Sequence, residues 1–124
     1  MSVVVPYLIR AYCDWIEDSN LTPHIVVDCK KTGVIVPKGF TKEGKIVLNV
    51  SSSATENRLI TNDSISFKAR FSGKSQKVII PCKAVLTIYA QENGEGMFFD
   101  NKFETKDDNN AGPSLTILDY LFNL

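Results

Sequence analysis

Little in this chain is set aside for catalysis or metal binding. It has one histidine, His24, and three cysteines, Cys13, Cys29 and Cys82; none forms a C-x-x-C pair, and no two of the four stand at metal-ligand spacing. A lone His beside Pro23 reads as a strand-edge residue rather than a base. The odd, scattered cysteines predict reduced thiols and with them a cytoplasmic setting. Neither charge is in excess, since fourteen Lys and Arg residues balance fourteen Asp and Glu. Composition therefore gives no reason to expect nucleic acid as a partner. No apolar run is long enough to span a membrane; Val3-Val4-Val5 is cut by Pro6 and lacks the basic start of a signal peptide. Nucleotide motifs are also missing. Ser72-Gly73-Lys74-Ser75 imitates the end of a phosphate-binding loop, but Lys68 holds the place of its first glycine. Gly94-x-Gly96 has Phe99 where a third glycine belongs. Asp14, Glu17 and Asp18 read as the solvated side of a helix. The expectation is a protein that is not an enzyme and uses no cofactor or metal.

What is there is ordinary globular material. With 124 residues, 44% hydrophobic and 23% charged, the chain suits one domain with its own core. Pro6 opens a helix, and Leu8, Ala11, Tyr12, Trp15 and Ile16, with Tyr7 beside them, draw an apolar stripe that ends at Ser19-Asn20. The stripe fits either the domain's own core or a seam with a second subunit. Strands are predicted over His24–Cys29, Val34–Val36, Lys45–Val50, Ser64–Phe71 and Lys77–Ile80, with a polar loop from Ser51 to Asn57. Leu86, Ile88 and Ala90 alternate with Thr87, Tyr89 and Gln91, as in a strand with one buried face. Asn93, Gly94 and Gly96 turn that strand into Met97-Phe98-Phe99. Short strands joined by Gly and Asn turns, with no interleaved helices, predict a mainly β fold: a small antiparallel barrel or sandwich behind an N-terminal α-helix. Residues 1–99 form the predicted domain and 100–114 a polar linker. Residues 115–124 are an apolar segment suited to docking. A small β-structure of this kind can hold an extended peptide in a groove. Tyr89 and the small Ala54 and Ala69 suit that use, or are simply packing positions.

Several motifs in order carry a resemblance. They are Pro6–Ala11 (PYLIRA), Leu21–Asp28 (LTPHIVVD), Gly44–Asn49 (GKIVLN), Thr61-Asn62-Asp63, Phe67–Phe71 (FKARF) and Ile88–Met97 (IYAQENGEGM). Together they resemble the SspB family, the stringent starvation protein B adaptors that hand tagged peptides to the ClpXP protease. The resemblance implies an Sm-like fold and a homodimer formed through the first helix, with Leu8, Tyr12 and Trp15 at its interface. It also implies binding of ssrA-type tags by Val47, Asn49, Ala54, Phe67, Ala69, Arg70 and Tyr89, where Arg70 would pair with an acidic tag residue. Leu115, Ile117 and Leu118 would dock on the ClpX unfoldase. Two departures stand out: Gln91 replaces the Arg usual in the signature, and the tail pattern Pro113-Ser114-Leu115-Thr116-Ile117-Leu118-Asp119 has lost both basic residues. Other readings are an Sm-like RNA-binding module and a stress-linked interaction protein without protease delivery.

Overall fold

Pro6 sits in the first turn of α1 (Val5–Asp18), where its missing N–H leaves no helical bond unmade. The helix stops at Asn20, which takes the left-handed conformation (φ 63°) while the N–H of Leu21 returns to the Ile16 carbonyl at 3.0 Å. The computed structural model describes residues 4–99. It corrects the predicted stripe by one helical row. Pro6, Ile9, Cys13 and Ile16 face the core, whereas Leu8 and Tyr12 are half-buried and Ala11 and Trp15 exposed. Among the described residues no helix is long and apolar enough to cross a membrane.

Seven strands follow: β1 (Pro23–Asp28), β2 (Lys45–Asn49), β3 (Glu56–Ile60), β4 (Ser64–Phe71), β5 (Lys74–Pro81), β6 (Val85–Ala90) and β7 (Gly96–Phe98). They form two antiparallel sheets, ordered β2-β1-β6-β7 and β3-β4-β5. A mainly β fold with one N-terminal helix is therefore what forms. Barrel closure is not: among the described residues no ladder joins the two sheets. The chain leaves the ladder after β2 because Asn49 Oδ1 accepts the Ser51 N–H at 2.9 Å, and the Ser51 carbonyl accepts from Ala54 and Thr55. The sheets meet instead across a shared core, with Ile25, Val27, Ile46 and Leu48 from one and Ile65, Phe67, Val78 and Ile80 from the other. Ile9, Cys13 and Ile16 of α1 complete it.

The hairpin turns follow the sequence closely. Ser72 and Gly73 both have positive φ (53° and 82°), as a two-residue hairpin between β4 and β5 requires. Three strand expectations are corrected. Val34–Val36 makes no strand; only Ile35 pairs, through a single bridge to Ile79. Part of the predicted 51–57 loop belongs to β3, and β5 starts at Lys74 rather than Lys77. Every residue of β6 is buried, not alternate ones, because β1 and β7 flank it and both its faces are covered. Val26, Leu86 and Tyr89, with Phe98 against them, form a second small cluster outside the main core.

Candidate functional site

Antiparallel ladders point alternate backbone groups to alternate sides, so one ladder bond fixes the direction of all. In β2 the Val50 N–H reaches the Pro23 carbonyl at 3.0 Å, and the Cys29 N–H reaches Gly44 at 2.8 Å. Residues 44, 46, 48 and 50 thus face β1, and Lys45, Val47 and Asn49 face outward along the free edge of the sheet. Lys45 is satisfied by its exchange with Lys42. The outward backbone groups of Val47 and Asn49 have no backbone partner among the described residues. The same reasoning applies to β4. The Cys82 N–H bonds the Asp63 carbonyl (2.9 Å), so 63, 65, 67, 69 and 71 face β5, and the even-numbered residues face β3. The β3 ladder ends at the Glu56–Lys68 pair. Arg70 lies beyond it, and its backbone groups find no partner among the described residues.

A cavity of about 390 Å³ opens at this point. Lys68, Ala69 and Arg70 of β4 line it with Ser75 of β5, opposite the wall Ser53-Ala54-Thr55-Glu56. Three of the predicted site residues, Ala54, Ala69 and Arg70, thus meet in one place. The Arg70 guanidinium is exposed and donates to the Gly73 carbonyl at 3.1 Å, a bond to its own hairpin that fixes its direction. Ten of the fourteen basic residues lie between positions 30 and 77, against three acidic ones. Net neutrality therefore hides a strongly basic middle of the chain, and this middle carries the cavity.

The wall is fastened from behind. Glu17 of α1 accepts the Ser52 N–H at 2.6 Å and pairs with Arg58 at 3.1 Å, while Arg58 also donates to the Val50 carbonyl at 2.6 Å. Burial opposes the Glu17 charge, but the Ser52 and Arg58 bonds outweigh it and hold the carboxyl below its usual range. Sequence reading placed Glu17 on a solvated face; its four-fifths burial and two partners, Ser52 and Arg58, belong to the site instead. A polar residue outside the motifs gives no sequence signal for such a role.

The other predicted residues are more scattered. Phe67 is buried in the main core, beneath the floor of the cavity strand. Val47 is exposed and Asn49 braces the start of the wall. Tyr89 is buried on β6 with its ring 5.8 Å from that of His24, and burial pushes its phenol up to about 12. His24 is no edge residue, because β1 is flanked by β2 and β6. Its register places it between Asn49 and Tyr89, and burial lowers its imidazole below the usual value. Trp15 is 52% exposed and stacks edge-on against Tyr12 at 5.6 Å, leaving an aromatic pair at the surface of α1. Leu115, Ile117 and Leu118 lie outside the described residues. The three thiols are free, and burial raises that of Cys13 to about 11. Among the described residues, no three His, Cys, Asp or Glu side chains gather as a metal site would need.

The signature Ile88–Met97 is explained by its own bonds. Glu92 accepts from both the N–H and the hydroxyl of Thr22, at 2.8 and 2.6 Å, and the Gln91 N–H reaches the Thr22 carbonyl at 2.9 Å. The turn therefore pins the entrance to β1. Gln91 works here through its backbone, so an Arg at this position is not needed for the pin.

Two comparisons agree with the motifs. The family model described as stringent starvation protein B matches residues 3–116. A stringent starvation protein B homolog of Haemophilus influenzae is 51% identical over 108 residues, covering 87% of this chain and 71% of that protein. The chain belongs to the stringent starvation protein B family.

Proposed function

We propose that this protein is an adaptor that binds ssrA-type degradation tags and delivers tagged proteins to the ClpXP protease. The observation that carries the binding step is the unpaired backbone of Arg70 beside a basic cavity walled by Ala54. An extended peptide can add to such an edge through main-chain bonds, while the small Ala54 and Ala69 leave it room. The exposed edge at Val47 and Asn49 offers further main-chain partners. Arg70 would meet an acidic side chain of the tag, and the surrounding Lys68 favours the same sign of cargo. Phe67 acts on this reading as packed support for the strand, and Tyr89 as part of the sheet beside it. The Sm-like resemblance of the fold and a cytoplasmic location belong to the same reading.

A second copy is the occupant proposed for the exposed face of α1. Tyr7 and Trp15 are about half exposed, and aromatic residues of that size are enriched at subunit seams. Residues 115–124 would dock on ClpX, with 100–114 as the tether that raises the local concentration of cargo.

Titration of a fluorescein-labelled ssrA peptide tests the site. A desolvated Arg–carboxylate pair contributes about 2 kcal/mol, so Arg70→Gln should weaken binding at least about tenfold. Ala54→Val should weaken it as well by crowding the cavity. Unchanged affinity in both variants would remove the site from these residues. The basic middle of the chain favours one competing reading, an RNA-binding module. An RNA affinity that falls steeply with salt, together with no peptide binding, would select it.

A further inference from the structure

We propose that Glu17 and Arg58 are positioning residues that set the peptide-binding wall from the helix side; this rests on the peptide-groove reading above. The wall, residues 51–55, is otherwise held mostly by itself. Ser51 bonds back to Asn49, its hydroxyl meets that of Ser53 at 3.2 Å, and its carbonyl takes Ala54 and Thr55. All of these bonds span four residues or fewer. Among the described residues, the only hydrogen bond from this segment to a distant part of the chain is Ser52 N–H to Glu17, thirty-five positions away. The carboxylate is held in turn through its other oxygen by Arg58, which stands on β3 and simultaneously grips the Val50 carbonyl that leads into the wall.

One carboxylate and one guanidinium thus tie together α1, β3 and both the approach to the wall and the wall itself. The geometry suits Arg and not Lys, because two acceptors in different directions need the planar fork. Glu17 also lies two residues from Trp15 on the same helix. A change in what covers the aromatic face of α1 has a short route to Ala54: through the helix end to Glu17, and from Glu17 to the Ser52 N–H.

Four variants test the proposal: Glu17→Ala, Glu17→Gln, Arg58→Lys, and Asp14→Asn as a charge control on the exposed side of the same helix. Two readouts are taken at a temperature where every variant is folded: affinity for the labelled ssrA peptide, and amide hydrogen exchange of Ser52 to Thr55 without peptide. Loss of a charge-assisted bond with its donor left unpaired should weaken binding about tenfold in Glu17→Ala. It should also speed exchange across the wall about tenfold. Glu17→Gln keeps an acceptor for Ser52 and should recover part of both; Asp14→Asn should match wild type. Faster exchange with unchanged affinity would overturn the positioning role. So would wild-type exchange and affinity in Glu17→Ala. If wild type binds no peptide, the adaptor reading fails and the positioning role fails with it, while the exchange arm still reports whether Glu17 orders the wall.

Discussion

Replacing Gly96 by Ala would set a methyl carbon inside contact with the Ile88 carbonyl oxygen and 2.5 Å from Tyr89 Cα. Both obstacles are backbone, so no rotamer change relieves them. They belong to β6, which is buried throughout and held on its other side by β1, so the strand that must yield is β7. Yielding breaks the pairings of Thr87 with Phe98, Ile88 with Met97 and Tyr89 with Gly96. It also draws Phe98 away from Val26, Leu86 and Tyr89. Two ladder bonds at ~1 kcal/mol each and ~1 kcal/mol of partial Phe burial give a loss of about 3 kcal/mol. At roughly 4 °C per kcal/mol for a domain of this size, the melting temperature should fall by about 12 °C. Gly73→Ala is the comparison. Its added carbon meets nothing within 4 Å, but φ is +82°, which costs about 1 kcal/mol, or roughly 4 °C. Scanning calorimetry of the two variants decides the matter. If Gly96→Ala melts within 2 °C of wild type, or no lower than Gly73→Ala, the close approach of β7 to β6 is not what demands glycine there.

Three further outcomes are expected. Trp15→Ala should convert dimers to monomers or aggregates in light scattering, since a seam aromatic commonly carries ~2 kcal/mol or more; a wild-type monomer at tens of micromolar would end the seam proposal. Tyr89 stays neutral in the fold up to about pH 12, so its contribution is intact below the ordinary phenol range and is lost as pH rises from about 10 toward 12. Urea midpoints should therefore drop more steeply between pH 9 and 11 for wild type than for Tyr89→Phe, and parallel curves would refute this. Deleting Leu115 to Leu124 should leave peptide affinity and melting temperature unchanged while removing stimulated degradation of tagged substrate; a drop of several degrees would assign that segment to the fold.

The sequence made some features plain because a single residue decides them locally. Asn20 ends α1 and Ser72-Gly73 turns β4 into β5, since few other residues take those backbone angles. β4 ran from Ser64 to Phe71 as expected, its Ile65 and Phe67 buried on alternate positions. β3 escaped because Glu56-Asn57-Arg58-Leu59-Ile60 has no clean alternation: Leu59 is exposed, and the inward bonds come from Arg58. Val34–Val36 misled because β-branched residues mark strand preference but cannot supply a neighbour along the whole run. Phe67 was legible as a candidate site residue only through family resemblance, and Tyr89 through that and its place on a predicted strand; neither signal distinguishes a contact from the packing beneath it. Ala54, Ala69 and Arg70 come from segments up to sixteen residues apart, and the bulge between Glu56 and Leu59 that lets them meet has no sequence mark.

The open edge of β2 also bears on self-association. A strand with one unpaired edge and an exposed Val47 at its centre is a template for any extended chain, including another copy of the same protein. Its brevity, five residues, limits how long a mispaired ladder could grow. Lys45 at its start places a charge where two such edges would meet in antiparallel fashion, and Lys42 bonds its backbone so that the edge cannot extend. Substitutions such as Lys45→Val or Lys45→Ile would lengthen the apolar edge without touching the core. They should therefore appear first as precipitation at high concentration, while the melting temperature of the dilute protein stays where it was.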